Sequence, residues 1–494
     1  MNITPGNPVS DDSEDVSRFG YRQQLKRSIR SFSSFALSFS LISITTGVFA
    51  GFGFAVRQFG PAVVWSWLLV AGGQFLVALV LAELSARFPL SGYGYQWTSR
   101  LMSPRVGFFV GWVLLVQFMT GFPGICSAMG QYAEAMLAGG AGLPIASKWI
   151  TLGLITVAAL IHLFGIRLAS FLNDAGVIAE IAGSISVALV LLVMFGPGHR
   201  EPARLFMDAT SYPSGLPGGL QGFAVSLLMG AWCLTGFEAA ADMAEETHRP
   251  ATVVPRAVVW SLVSSSVGGL LMLAGFLFAM PDLRAVQASS TPLSDVLLAR
   301  LGPEITRGVM LVVFVSIFAC ALASLASATR LLFSMARDNM LPASSWLRRV
   351  HPRRATPATA IIFVWLVSCI VVLSLERIEI ITSVSAVATY IGYAVILVAA
   401  IRGMRERHGC EGFSLGRWRP VVGPIALAWV IFLIAALTVP VADPAVGRLP
   451  SRVMAGVLAT GTMVYYLLIR ARIRRGEAGP PSTPERWIRG EEKT

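Results

Sequence analysis

The sequence predicts an all-α polytopic membrane protein with twelve transmembrane helices. Of its 494 residues, 55% are hydrophobic and only 13% are charged, and a soluble globular chain of this length could not bury so much apolar surface. Runs of about 20 mostly apolar residues, the length that crosses about 30 Å of hydrocarbon, recur along the whole chain. In order, the predicted spans lie near residues 33–56, 62–85, 106–136, 149–166, 172–196, 220–243, 256–280, 307–335, 357–375, 380–401, 421–440 and 452–470.

The distribution of positive charge predicts the orientation of these spans. With the N-terminus in the cytoplasm, about 29 of the 39 Lys and Arg residues fall on the cytoplasmic side, the asymmetry that the positive-inside rule describes. Both termini are therefore predicted to be cytoplasmic, and the net charge of +12 needs no nucleic-acid partner. The basic segment 470–475 could also contact anionic membrane lipid. The main external connections are predicted at 197–219 and 281–306.

Polar tails precede the first span and follow the last. Residues 1–30 and 472–494 are rich in polar and charged side chains, which predicts segments that are disordered or lie on the membrane surface. Charged residues also stand at predicted cytoplasmic helix ends, where we expect most of them to be solvated and some to form salt bridges that open and close. These residues are Glu83, Asp242, Glu245, Glu246 and Arg337.

The chain contains no motif that indicates an enzyme. The patterns HExxH, GxxxxGK[ST] and GxSxG do not occur, and the five cysteines are scattered without a CxxC pair. The sequence thus predicts no catalytic residues, no cofactor and no metal site. It also contains nothing that would drive transport with a nucleotide.

The first apolar run is interrupted where a simple membrane anchor would carry leucine. Its middle, residues 44–53, reads ITTGVFAGFG, and the sixth run is broken in a similar way by Thr235-Gly236-Phe237-Glu238. Helices that lose backbone hydrogen bonds at mid-bilayer are tolerated only where they line a cavity. A pair of such breaks is the best sequence indication of a transporter's substrate site.

An unwound stretch at Thr45–Gly47 would expose backbone N–H groups at the start of the next half-helix. Such groups, together with the positive end of the helix dipole, bind anions such as the carboxylate of an amino acid. We therefore predict that Ile44, Thr45, Thr46 and Gly47 bind the substrate. The alternative is that the glycines only permit close helix packing in lipid.

The sixth run would supply the opposite partner, because carbonyl groups left unpaired before Gly236 could accept hydrogen bonds from a substrate ammonium group. Thr235, Gly236 and Phe237 are predicted to belong to this site. Trp232 lies about one turn earlier and its ring face suits a cation, with a lipid-facing or core position as the alternative. Glu238 is a carboxylate near mid-span, which is costly in a membrane and indicates a role in proton coupling. A structural acid bonded to the broken backbone is the alternative.

Segments from about residue 19 to residue 470 resemble, in the same order, the amino acid–polyamine–organocation (APC) superfamily. The bacterial and fungal branch that transports amino acids, GABA and choline looks most similar. The segments that carry the resemblance are Phe19-Gly20-Tyr21, Leu25-Lys26-Arg27-Ser28, Ser38-Phe39-Ser40 with Ile42 to Gly47, Ala82-Glu83-Leu84-Ser85 with Arg87-Phe88-Pro89, Tyr95-Gln96-Trp97, Thr235 to Ala240 with Glu245-Glu246-Thr247, and Ala336-Arg337-Asp338-Asn339 with Leu341-Pro342 and Pro357.

The resemblance implies the fold first described for the leucine transporter LeuT, in which two inverted repeats of five helices precede two further helices and helices 1 and 6 are discontinuous. It also implies alternating access, an aromatic gate at Trp232 and, as in some members, proton coupling by an acid at the place of Glu238. The chain then divides into a cytoplasmic N-terminal tail at 1–31, a first repeat at 32–200, a second repeat at 201–402, two further helices at 403–471 and a basic cytoplasmic tail at 472–494.

Glu180 in the fifth span departs from the family pattern, because several relatives carry a lysine there that is thought to replace a bound sodium. The reversed charge leaves three alternatives open. Glu180 carries a proton, or it meets a cation from the substrate or from sodium, or it lies close enough to the cytoplasm to be hydrated. It is therefore the second candidate for coupling.

Together these features predict a secondary active permease of the bacterial cytoplasmic membrane that imports an amino acid or a related small amine. Proton symport is favoured over sodium coupling and over exchange. The mid-membrane charges are acidic, with no Lys or Arg deep in the spans, which favours a substrate with a positive group. Choline, polyamines and guanidinium-like compounds are alternative substrates, and a membrane sensor on the same fold is the alternative from another class. The oligomeric state stays open.

Overall fold

The computed structural model describes residues 14–140, 146–196, 219–351, 354, 356–375, 377–403, 412–438 and 449–481. These residues are helical apart from their connections and one isolated parallel β-bridge between Ile29 and Thr247. In chain order, the helices are α1 (Glu14–Ser17), α2 (Ser31–Ile42), α3 (Ile44–Phe59), α4 (Val63–Arg87), α5 (Tyr93–Leu101), α6 (Pro104–Gly140), α7 (Ser147–Phe164), α8 (Ile166–Phe195), α9 (Leu220–Cys233), α10 (Ala239–Asp242), α11 (Pro250–Ala279), α12 (Leu283–Ala288), α13 (Pro292–Arg337), α14 (Ser344–Leu347), α15 (Ala358–Ser374), α16 (Ile378–Gly403), α17 (Arg419–Thr438), α18 (Leu449–Val464) and, after a π-helical turn at Tyr465–Ile469, α19 (Arg470–Arg474).

Each predicted span coincides with a helix or with two consecutive helices. The first span is formed by α2 and α3, and the sixth by α9 and α10; the other ten are α4, α6, α7, α8, α11, α13, α15, α16, α17 and α18. Nine helical stretches of the described residues are long and apolar enough to cross a membrane. One of these, Ser31–Arg87, holds the first two spans, while α9 and α15 are shorter apolar helices. The predicted fold class, an all-α polytopic membrane protein, is confirmed.

The external connection predicted at 281–306 contains more helix than the sequence suggested. The Asp282 carboxylate caps the N-terminus of α12, and α13 already begins at Pro292. α13 bends at Gly302, whose φ of 78° is a conformation that glycine adopts without strain. Four predicted features lie outside the described residues: the connection at 197–219 except for its last residue, the repeat boundary at 200–201, and tail residues 1–13 and 482–494.

The two broken spans pack directly against each other through small residues of α3. A Cβ atom at Gly47 would lie 2.2 Å from Cys233 Sγ, and one at Gly51 would lie 2.7 Å from Met229 Cγ, both on α9. Glycines four residues apart let two helix backbones approach closely in a membrane. The packing role that the sequence left as an alternative for these glycines is therefore real.

The described part of the N-terminal tail is ordered, so the prediction of a disordered or surface-bound segment is wrong for it. Phe19, Leu25 and Ile29 are buried. The backbone N–H groups of Ser28 and Ile29 donate to the Glu246 carbonyl oxygen at 2.9 and 3.0 Å. The tail is ordered because its apolar side chains and its backbone both find partners on the predicted cytoplasmic side of the helix bundle.

Buried ion pairs close the side of the helix bundle that is predicted to be cytoplasmic. Arg337 donates two hydrogen bonds of 2.9 Å to the Glu245 carboxylate, and Arg330 donates to Glu246 at 2.8 and 3.3 Å. The expectation of solvated helix ends is wrong for Glu83, Asp242, Glu245, Glu246 and Arg337, which are all buried or nearly so. The sequence does not reveal the burial of Glu83, Glu245 and Glu246, because each of these carboxylates pairs with an arginine from a distant segment of the chain.

Asp338 joins the tail to the end of α13. Tyr21 Oη and Tyr95 Oη donate to its carboxylate at 2.8 and 2.7 Å, and the Arg337 guanidinium lies 3.8 Å from the centre of the Tyr21 ring. Burial raises the pKa of the Asp338 carboxyl, because the loss of hydration outweighs the favourable arginine charge and hydroxyl bonds. A carboxyl with a higher pKa in the closed state takes up a proton on closure, so closure weakens as the pH rises through that pKa.

We expect Asp338→Asn to remove this pH dependence. In the protein without the substitution, hydrogen-exchange protection of the tail peptide 19–30, corrected for intrinsic exchange, should fall as the pH rises above the ordinary Asp pKa of about 3.9. In the variant it should stay level. Asp282→Asn, the same change at the exposed external cap, is the control and should keep the natural profile. An identical slope in both variants would show that Asp338 does not set the pH dependence.

Gly47→Ala tests the close contact between the broken spans. The added Cβ atom has no room beside Cys233, and overpacking of this kind costs about 1–3 kcal/mol, so the apparent melting temperature in detergent should fall. Gly72→Ala is the matched control, because no atom lies within 4 Å of a Cβ at that helical position. Equal melting temperatures for the two variants would contradict the packing role of Gly47.

Candidate functional site

The first span breaks at Ser43, not at Thr45–Gly47 as the sequence suggested. α2 ends at Ile42, α3 begins at Ile44, and Ser43 between them has φ 36° and ψ 90°. Ser43 Oγ accepts a hydrogen bond of 3.1 Å from the Thr46 N–H, and its carbonyl oxygen accepts one of 2.9 Å from the Gly47 N–H. A serine N-cap can thus start the second half-helix, so the threonines and Gly47 form its first turn.

The second break runs from Leu234 to Glu238, where the sequence predicts it. α9 ends at Cys233, α10 begins at Ala239, and Gly236 between them has φ 100°. A Cβ atom at Gly236 would lie 2.7 Å from Leu41 Cγ. Glycine is required here both by the left-handed backbone and by the close approach of α2.

The two breaks lie side by side, and residues next to each break form hydrogen bonds with the backbone of the other. Ser38 Oγ on α2 donates to the Phe237 carbonyl oxygen at 2.7 Å and accepts from the Ala240 N–H at 3.0 Å. Cys233 Sγ, at the end of α9, lies 3.7 Å from the carbonyl oxygens of Ile42 and Ser43. One serine and one cysteine thus hold the unwound segments together.

A small cavity of about 40 Å³ lies between the breaks. Among the predicted binding residues, Thr46, Gly47, Trp232, Thr235 and Gly236 line it. The sequence analysis missed lining residues on uninterrupted helices, where no local signal marks them: Gln117, Phe118, Cys320, Ser324 and Ser385.

Three predicted binding residues point away from this cavity. Ile44 faces α11, since a Cβ atom at Gly268 would lie 3.1 Å from its Cδ1. Thr45 Oγ1 lies 2.7 Å from Ser184 Oγ on α8. The Phe237 ring packs against Tyr393, with 5.7 Å between ring centres. Ile44, Thr45 and Phe237 therefore belong to the wall behind the cavity.

Trp232 stands between the central cavity and a larger cavity on the predicted external side. The larger cavity has a volume of about 620 Å³ and is lined by residues such as Arg57, Glu134 and Glu379. A small cavity of about 20 Å³ shares Trp232 with the central cavity and Glu379 with the larger one. The indole thus separates the site from the external space.

Glu238 is fully buried and is bonded to both the broken backbone and the cavity wall. Its carboxylate accepts hydrogen bonds from Tyr393 Oη at 2.6 Å, from the Gly236 N–H at 3.1 Å and from Gln117 Nε2 at 3.4 Å. The bond to Gly236 is the structural role that the sequence left open. Gln117 lines the cavity, so the Gln117 side chain connects Glu238 to any ligand that binds there.

Glu180 on α8 caps the second half of the first span. It is fully buried, which contradicts the alternative of a hydrated position. Its Oε1 accepts hydrogen bonds from Ser43 Oγ at 3.0 Å and from the Thr45 N–H at 3.1 Å. The predicted anion position at the start of α3 is thus held by the chain's own carboxylate. The sequence could not indicate this contact, because Glu180 is 135 residues away from Thr45 and 137 residues away from Ser43 along the chain.

Comparison with known proteins gives the chain a family. The model of the amino acid permease family matches residues 29–462. The chain is 27% identical to the amino-acid permease BAT1 of Arabidopsis thaliana, with 88% of this chain and 90% of that protein aligned. It is 26% identical to the BAT1 homolog of Oryza sativa subsp. japonica, with 87% and 88% aligned. It is 24% identical to the thiamine transporter thi9 of Schizosaccharomyces pombe, with 93% and 86% aligned.

These matches cover both broken spans and the cavity between them. They confirm the resemblance to the APC superfamily that the sequence motifs indicate. The chain is a multi-pass membrane protein that belongs to the amino acid permease family.

Proposed function

We propose that this protein is a secondary active transporter that imports an amino acid or a related small amine by alternating access, with proton coupling. The observation that carries the proposal is the small cavity between two broken helices, which shares Trp232 with a second small cavity that borders a larger one on the predicted external side. The names of the relatives, two amino-acid permeases and a thiamine transporter, support small-molecule transport.

The groups that block the central cavity differ between its two sides, and this supports alternating access. The predicted cytoplasmic side is closed by the pairs Glu245–Arg337 and Glu246–Arg330 and by the tail, whereas the small cavity at Trp232 borders the larger cavity on the predicted external side. This corresponds to a state in which the site is reached from outside once the indole moves. Release to the cytoplasm would require the buried ion pairs to separate.

Proton coupling is assigned to Glu238. The carboxylate is buried in the second break and meets the cavity through Gln117. Gain of a proton would remove its charge and weaken its bonds to the Gly236 N–H and to Tyr393, which would change the geometry of the break. Sodium coupling and substrate exchange are the alternatives that the transport assays below distinguish.

Orientation and location follow from the charge pattern. The excess of Lys and Arg on the predicted cytoplasmic side supports cytoplasmic termini, and we propose the cytoplasmic membrane of a bacterium as the location. The two breaks in spans 1 and 6 support two inverted repeats of five helices at 32–200 and 201–402. A sensor on the same fold would bind a ligand without moving it across the membrane.

Glu238→Gln keeps a hydrogen-bonding side chain of similar size that cannot carry a proton. In proteoliposomes, uptake driven by a pH gradient should fall about tenfold or more, while counterflow of substrate should change less than about twofold. The control is Glu304→Gln, the same change at an exposed glutamate paired with Arg307. Full proton-driven uptake by Glu238→Gln would overturn the coupling assignment, and a requirement for sodium would replace it.

Trp232→Ala tests the aromatic wall of the site. Loss of the ring should weaken binding of a cationic substrate by about 0.5–2 kcal/mol, or about 2- to 30-fold, whereas Trp232→Phe should keep part of the affinity. Trp260→Ala is the control, because that indole is 61% exposed on the lipid-facing surface of α11. Unchanged affinity in Trp232→Ala would exclude the ring from the binding site.

A further inference from the structure

Two of the hydroxyl groups that line the central cavity, those of Thr235 and Ser385, have their hydrogens engaged elsewhere. Thr235 Oγ1 donates to the Trp232 carbonyl oxygen at 2.7 Å, and Ser385 Oγ donates to the Gln117 carbonyl oxygen at 3.0 Å. Each of these side chains therefore offers a ligand only the lone pairs of its oxygen. A hydroxyl that has already donated its hydrogen can accept from a substrate but cannot donate to it.

Glu180 also makes the Thr46 hydroxyl a hydrogen-bond acceptor toward the cavity. An ionised carboxylate only accepts, so when Glu180 is ionised Ser43 Oγ donates its hydrogen to Glu180 Oε1, at 3.0 Å. The contact of 2.7 Å between Ser43 Oγ and Thr46 Oγ1 then has Thr46 as its donor. Thr46 lines the cavity, and its hydroxyl also presents an acceptor there. The direction of this hydrogen-bond chain is decided by a residue that does not line the cavity.

Glu180 also takes the place that a substrate carboxylate would occupy at the start of α3. It accepts the Thr45 N–H, while the Thr46 N–H is taken by Ser43 Oγ. Its second oxygen, Oε2, is also buried. The negative charge at the positive end of the α3 dipole is thus already supplied, and a second carboxylate beside it would be repelled.

The charges around the cavity also favour a cationic ligand. None of the described residues that line it is charged, and the buried carboxylates of Glu180 and Glu238 lie behind its wall, one at each break. A cation that donates hydrogen bonds fits three acceptor hydroxyls and two nearby carboxylates. A free carboxylate group would find no cation among the described lining residues and would meet the two negative charges behind the wall.

We propose that Glu180 is a specificity-determining residue that selects substrates by an ammonium or guanidinium group and makes a substrate carboxylate unnecessary. The inference rests on the proposed transport function and narrows its substrate class to small organic cations. Glu180 acts through Ser43, Thr45 and Thr46, so it positions the recognising groups.

The test compares amino acids with the amines that differ from them only by loss of the carboxylate. Purified full-length protein is titrated with lysine and cadaverine, arginine and agmatine, and tyrosine and tyramine, and binding is followed by thermal shift and by inhibition of counterflow. We expect at least one amine to bind about tenfold more tightly than its amino acid. Tighter binding of the amino acid in every pair would overturn the inference and leave the transport function standing. No binding of any of the six compounds would count against both.

Two variants connect the preference to Glu180. Glu180→Gln removes the charge and can donate to Ser43, so the amine-to-amino-acid affinity ratio should fall about tenfold. Ser184→Ala, one turn along α8 and in contact with Thr45, alters packing without altering charge and should leave the ratio unchanged. A loss of stability would affect both ligands of a pair equally, so the ratio separates specificity from folding. An unchanged ratio in Glu180→Gln would overturn the assignment.

Discussion

The need to satisfy broken backbone inside a membrane is the constraint on which the rest of this structure depends. Each N–H or C=O group left unpaired in hydrocarbon costs several kcal/mol. The break at Ser43 is satisfied by Glu180 from α8, and the break at Gly236 by Glu238 and by Ser38 from α2. These partners come from spans that are distant in sequence, so satisfying the breaks also brings the spans around the cavity together.

Both breaks use a buried carboxylate as a partner, and this choice has an electrostatic consequence. Glu180 and Glu238 each accept a backbone N–H group, which neutral side chains could also have done. Carboxylates accept hydrogen bonds without donating any, so they orient the neighbouring hydroxyl and amide groups of Thr46 and Gln117. Structural support of the breaks and recognition of a ligand therefore depend on the same two side chains.

The closure on the predicted cytoplasmic side connects several parts of the chain at one place. The tail at Tyr21, the exit of the sixth span at Glu245 and the end of α13 at Arg337 and Asp338 meet in one buried polar cluster. Opening toward the cytoplasm would expose and rehydrate these groups together. A barrier built from paired buried charges can be closed firmly and still separate, because water stabilises the charges once they part.

The sequence by itself determined the membrane class, the twelve spans, the family and the second break, because hydropathy and the need for glycine at Gly236 act within a short stretch of chain. The first break was predicted about two residues late, since the local pattern favoured the threonines and Gly47 whereas Ser43 begins α3 as its N-cap. Burial of Glu245 and Glu246, the role of Gln117 and the capping by Glu180 were decided only by the tertiary structure. The physical reason is that burial and hydrogen-bond partners depend on which spans are neighbours, and these partners stand many residues apart along the chain.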